Sequence, residues 1–141
     1  MTASTETKIW MALKARVSAL TGYTFAWPMD PFEPGMKPYV EVAHLPNRNV
    51  RPFTASNEQM ERPGILQLTL VWPVAQVGTG LGKVHPDVLI QRAGEIAAHF
   101  NTDRCMTFQG VRARVTKAPD VAQPIRDDAY WRVPVSVFYE A

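Results

Sequence analysis

The residues of this chain that could do chemistry are scattered, and each is tested first by spacing. Gly78-Thr-Gly-Leu-Gly82-Lys83 has the glycine content of a loop that cradles phosphate. That task needs converging backbone N–H groups, a lysine and a hydroxyl for magnesium. The spacing does not fit. A loop ending in Gly82-Lys83 needs glycine at 77 and Ser or Thr at 84, where the chain has Val77 and Val84. A dinucleotide fingerprint starting at Gly78 needs glycine at 83, where Lys83 stands. The segment reads as a strand-to-helix connection.

His44, His85 and His99 lack a second His or Cys at three- or four-residue spacing, so a metal site would need distant segments. His99 falls in the last turn of an expected helix, where a cation is favoured. Cys105 has no thiol-enzyme signature around it and reads as a small apolar filler at a strand start. Asp127-Asp128 could serve as acid and base, but they sit in an expected turn, where Asp bonds its own backbone. No catalytic residue, cofactor-binding residue or metal ligand is assigned.

The arginines are different. Ten of the 15 cations are arginine, whose planar fork suits paired and interfacial sites. Arg48 and Arg51 lie in a long loop that also holds Phe53 and Met60; Arg112 and Arg114 alternate on one strand face. Phe53 and Met60 are costly to leave in water, and contact with another subunit removes that cost. These six residues are the expected assembly interface. A solvated face is the alternative for the arginines.

The elements that must position them follow from pattern. The chain has 141 residues with 46% hydrophobic and 20% charged side chains, which fits one globular domain spanning 1–141 and excludes a disordered chain. One cysteine excludes a disulfide scaffold. No apolar run is long enough to span a bilayer, and the polar N-terminus does not read as a secretory signal, so no membrane partner is expected. A net charge of +2 is too small for a nucleic-acid footprint. The 12 prolines exceed the roughly seven expected by composition and gather in loops or near strand ends.

Ile9, Leu13, Val17 and Leu20 recur at helical spacing and predict a helix over 5–20. Residues 24–27 and 39–45 read as strands. Leu66, Leu68, Leu70 and Trp72 alternate with Gln67 and Thr69, predicting a strand over 65–74. Leu89, Ala93, Ile96 and Phe100 predict a second helix from Pro86 to about Asn101. Strands over 106–116 and 130–139 follow, and Pro134 marks the last as an edge strand or a bulged one. Long loops are expected at 28–38, 46–63 and 118–128, with 46–63 ordering on assembly. The fold class is α+β, in the order α-β-β-β-α-β-β: a mainly antiparallel sheet with two helices packed on one face. Leu13, Leu68, Leu70, Ile96, Phe100 and Val135 are the expected core.

Gly64-Ile-Leu-Gln-Leu-Thr-Leu-Val-Trp-Pro73, a Gly-rich turn, an amphipathic helix and the closing Val133-Pro-Val-Ser-Val-Phe-Tyr139 resemble the tail terminator-like proteins of long-tailed phages. In element order the chain is similar to the lambda minor tail protein U, and gene transfer agents use a like part. The resemblance implies a structural virion protein, not an enzyme, that needs no cofactor. It implies a homo-hexameric ring on the tail tube that stops polymerisation and meets a head-completion protein, with DNA passing through unbound. It places the protein in the virion tail, assembled in the host cytoplasm. A monomeric adaptor module and a small-molecule enzyme are the competing readings.

Overall fold

A computed structural model describes residues 4–29, 38–46, 62–73, 86–127 and 130–141. Helix α1 runs Thr5–Ser18. Ser4 caps it: its hydroxyl accepts the Thr7 N–H at 3.2 Å, satisfying one of the donors that a helix start leaves free. Ile9, Ala12, Leu13 and Val17 are its buried stripe. The helix ends two residues earlier than its apolar spacing suggests, with Ala19 as its C-cap, and Gly22, at φ +88°, turns the chain after the end.

The strands are β1 (Phe25–Ala26), β2 (Tyr39–Pro46), β3 (Pro63–Pro73), β4 (Cys105–Phe108), β5 (Val111–Val115), β6 (Asp120–Val121), β7 (Ile125–Asp127) and β8 (Tyr130–Glu140); helix α2 is Pro86–His99. The expected order holds through α2. After it come five described strands instead of two. Residues 106–116 are not one strand: Gln109 and Gly110, both at positive φ, make a tight turn that folds β4 back on β5. Two positive angles in a row are the pattern of a type I′ hairpin, whose twist matches the strands it joins. The expected loop 118–128 contains β6 and β7.

One sheet carries all eight strands in the order β1-β2-β3-β8-β5-β4, with β6 and β7 also on β8. All pairings are antiparallel except β1 with β2. The β8 strand is therefore interior, and the edge expected from Pro134 is corrected. A proline lacks the N–H only on the flank toward which its own carbonyl points. The Pro134 carbonyl accepts the Ala122 N–H at 2.9 Å, so that flank faces β6 and β7. Val121 pairs with Val135 and Ile125 with Arg132, so four steps along one chain meet three along the other. The extra residue is a bulge, and Pro134 sits where the ladder is already interrupted. Opposite it on the other flank, Thr69 is in register.

Both helices share one core with the sheet. Leu13, Leu68, Leu70, Ile96, Phe100 and Val135, the expected core, are all buried in one cluster with Val40, Leu66, Val133 and Val137. Trp72 packs against it while remaining partly exposed.

At the end of this core, Gly64 explains a local geometry. It stands opposite Tyr139 in register, and a Cβ there would overlap the phenol, with Cε1 at 2.8 Å. The missing side chain lets the Tyr139 ring cross β3 and reach His44 on β2, where its hydroxyl meets Nε2 at 2.5 Å. Trp10 of α1 stacks on the His44 ring at 5.4 Å and meets Trp27 edge-on at 6.2 Å. Burial pushes the Tyr139 phenol up to about 12 and lowers the His44 imidazole, so both stay neutral at pH 7.

The helix-free sheet face as candidate functional site

Residues directly opposed in register share a face of a sheet. With Leu68 and Val135 in the core, the opposite face follows from pairing alone. It carries Tyr39, Val71, Arg132 and Ile125 in one row across the strands, then Glu41, Thr69 and Pro134, then Ala43, Gln67 and Ser136. The next row is Leu45, Ile65 and Phe138. Beyond it stand Glu140, Arg114 and Cys105. Among the described residues neither helix lies over this face, because the buried stripes of both belong to the core cluster on the other side.

Two features distinguish it from a solvated surface. The first is its apolar row. Leu45 is 52% exposed, and Ile65 and Phe138 are partly exposed. A groove of about 370 Å³ runs beside the row, between Pro63, Ile65, Thr116, Phe138 and Glu140. The Lys117 ammonium lies 4.2 Å from the Phe138 ring centre, a favourable cation–π distance. The second is an ion-pair network. Arg132 donates to Glu41 at 2.9 Å and to Asp127 at 2.7 Å, joining β2, β7 and β8 across the face. The hydrogen bond to Glu41, and then that to Asp127, raise the Arg132 pKa further. Fully buried Val71 lies in the same row, outside the core cluster. At that end, Tyr39 and Tyr130 meet edge to face at 6.5 Å.

Arg112 and Arg114, expected at an assembly interface, fall on this face; both are exposed. Arg114 pairs with Asp103 at 2.7 Å, and Arg112 makes no ion pair among the described residues. Arg48, Arg51, Phe53 and Met60 lie outside the described residues, as do the Gly78–Lys83 segment, His85 and Asp128. Three smaller expectations are corrected. Cys105 is exposed, not an apolar filler. Asp127 holds Arg132 rather than its own backbone. His99 is not a cation at the helix end: burial lowers its pKa, and Arg16 takes the cationic role by donating to the His99 carbonyl. Leu45, Ile65, Phe138 and Arg132 were missed as site residues. Their signal is an apolar or charged residue out of phase with the buried alternation of its strand.

No cluster of metal-binding side chains occurs among the described residues, and none of the described helices is long and apolar enough to cross a membrane. The arrangement is a surface with a partly exposed apolar row, a groove and fixed charges.

The fold is an α+β subunit with one sheet face covered by both helices and the other free of helices among the described residues. The phage tail terminator protein family matches residues 8–139, and the chain belongs to that family. It is a structural component of the virion tail. A solved protein structure is similar over 94% of this chain and 92% of its own, with 26% identity and a TM-score of 0.70. No curated protein matches the chain.

Proposed function

We propose that the protein caps the tail tube of a long-tailed phage or phage-like particle, such as a gene transfer agent. In this reading it ends tube polymerisation and presents a surface to a head-completion protein. It acts as a homo-hexameric ring assembled in the host cytoplasm, through which DNA passes without specific binding. Its role is structural and uses no cofactor. The observation that carries the proposal is the family match along residues 8–139. The physics supports it. A head-to-tail contact that closes makes a ring, and a ring has two different ends. One end can fit the tube while the other gives a further tube subunit nothing to bind.

DNA sliding through must not be gripped, because each neutralised phosphate adds affinity and salt dependence. A net charge of +2 per chain suits a mixed lining. Arg112 and Arg114, with Arg48, Arg51, Phe53 and Met60, then serve subunit or tube contacts rather than DNA. The test is electron microscopy of growing tail tubes with and without the protein. Tubes of uniform length bearing a terminal ring are expected; unchanged, overlong tubes with no density at their ends would refute the reading.

A further inference from the structure

We infer that the outer edge of β4 binds an extended acidic segment of a partner protein, which adds to the sheet as a further strand. The inference goes beyond the ring reading and does not depend on it. The β4 strand ends the strand order and pairs only with β5 among the described residues. The two-residue turn Gln109–Gly110 makes Phe108 and Val111 a hydrogen-bonded pair, and every second pair after it is of the same kind. Met106 with Ala113 is the next, and the Val115 N–H on the Arg104 carbonyl, at 2.9 Å, keeps the phase. The N–H and C=O groups of Cys105 and Thr107 therefore point away from β5, and both residues are exposed. Sheet edges are commonly blunted by lysine, proline or an inward charge. Cys105–Phe108 contains none of these. Unpaired main-chain donors and acceptors in alternation are what an added strand takes up.

The side chains along this edge set the sign of the partner. Cys105 stands opposite Arg114 and Thr107 opposite Arg112, so the two arginines share their exposed face. Arg104 adds a third exposed cation at the start of β4, its Nε bonded to Asn101. Burial, and then the Arg104 charge, lower the pKa of Arg16, so positive charge is crowded here. Two carboxylates face the group: Asp103, which pairs with Arg114 at 2.7 Å, and Glu140, opposite Arg114 in register on β8. Arg104 and Arg112 make no ion pair among the described residues.

A strand laid on β4 sets its backbone two strand spacings, roughly 10 Å, from that of Arg112 and Arg114. An extended arginine and a carboxylate side chain span that distance between them, and the guanidinium fork takes a carboxylate on two bonds. The edge itself selects peptide over nucleic acid. A phosphate can accept from the outward N–H groups, but it has no donor for the outward carbonyls; a peptide backbone supplies both.

The test uses the full chain and a fluorescein-labelled peptide of three Glu-Val repeats. Anisotropy reads affinity, and hydrogen exchange by NMR reads the Cys105 and Thr107 amides. Saturable binding that weakens with salt and slows exchange at both amides is expected. Arg104→Glu and Arg112→Glu should each weaken it at least about tenfold. Thr107→Pro removes one outward N–H at an edge position that tolerates proline, and should weaken it similarly. Thermal midpoints near that of the parent check folding; should the proline variant fail to fold, the arginine variants and the exchange data decide. No binding, equal binding of a Lys-Val repeat peptide, protection away from β4, or unchanged affinity in both arginine variants would overturn the inference. So would a short DNA duplex that binds through Arg104 and Arg112 where the peptide does not.

Discussion

Arg16 and His99 cap each other's helix. The Arg16 guanidinium donates to the His99 carbonyl through Nη2 at 2.6 Å and Nε at 3.1 Å, and His99 Nε2 donates to the Arg16 carbonyl at 2.7 Å. Each side chain thus bonds a carbonyl in the last turn of the other helix, where helical donors run out; the Arg16 carbonyl also accepts the Ala19 N–H at 3.2 Å. The exchange locks the ends of α1 and α2 together 83 residues apart in the chain.

The joint predicts acid sensitivity. Burial first, with the nearby Arg16 and Arg104 charges adding to it, holds the His99 pKa below the usual 6.5. The unfolded chain binds a proton there before the native one does, so stability falls as pH falls. The contribution is whole above pH 6.5, declines below it, and is gone once pH passes under the folded-state value. His99→Gln should flatten this limb in denaturant titrations between pH 7.5 and 5. His44, lowered by burial, keeps a share of it. An unchanged slope in the variant would contradict the account.

On the alkaline side the largest shift is at Tyr139, with Tyr23 and Tyr39 also raised, burial being the first cause in each. The Tyr139 phenol is pushed up to about 12 by burial, against 10 in the unfolded chain. Its stabilisation is complete below pH 10 and is lost as pH rises toward 12. Tyr139→Phe should abolish that loss while costing roughly 1–3 kcal/mol at pH 7, because His44 Nε2 loses its partner. Ultraviolet titration of the tyrosines checks the first half, and chemical denaturation the second.

Gly64→Ala should destabilise by about 1–3 kcal/mol, the range for forcing volume into a packed site. The added methyl overlaps the phenol ring of Tyr139. Combining it with Tyr139→Ala should cost less than the sum of the two single variants, since the clash disappears. Strict additivity in a double-mutant cycle would show that Gly64 is needed for another reason.

Leu70→Ala should cost about 2–5 kcal/mol, as for a fully buried leucine that leaves a cavity. Arg132→Ala should cost the isolated subunit far less, about 1 kcal/mol or under, because its two ion pairs are partly exposed and screened. If the open face carries assembly, the order reverses there. Arg132→Ala should impair tube capping more than its small effect on the denaturation midpoint would suggest.

Much of the closed side of the sheet is legible in the chain. Ile9, Leu13 and Val17, and Leu89, Ala93 and Ile96, repeat at helical spacing, and Leu66, Leu68 and Leu70 alternate, because burial on one side imposes a period. The β4–β5 turn was hidden because Gln109 is not among the residues that advertise a positive φ. Pro134 left edge and bulge both open, because a proline reports on one flank of its strand and is silent about the other; the bulge reading holds and the edge reading does not. The open face was missed for a different reason. Leu45, Ile65 and Phe138 are adjacent only through pairing between strands far apart in sequence, and no local period encodes that register.

The central place of β8 has a consequence for how the chain comes to fold. It is the last described strand to be synthesised, yet β3, β5, β6 and β7 all take their register from it. Until it arrives, β3 holds Leu66, Leu68 and Leu70 beside a vacant edge, and the sheet exists only as the β1-β2-β3 and β4-β5 pieces. Contacts this distant in sequence close slowly. Unpaired apolar strands that wait are prone to join the wrong chain. Expression yield should therefore track how quickly β8 docks, and slow docking should be seen as aggregation of new chains.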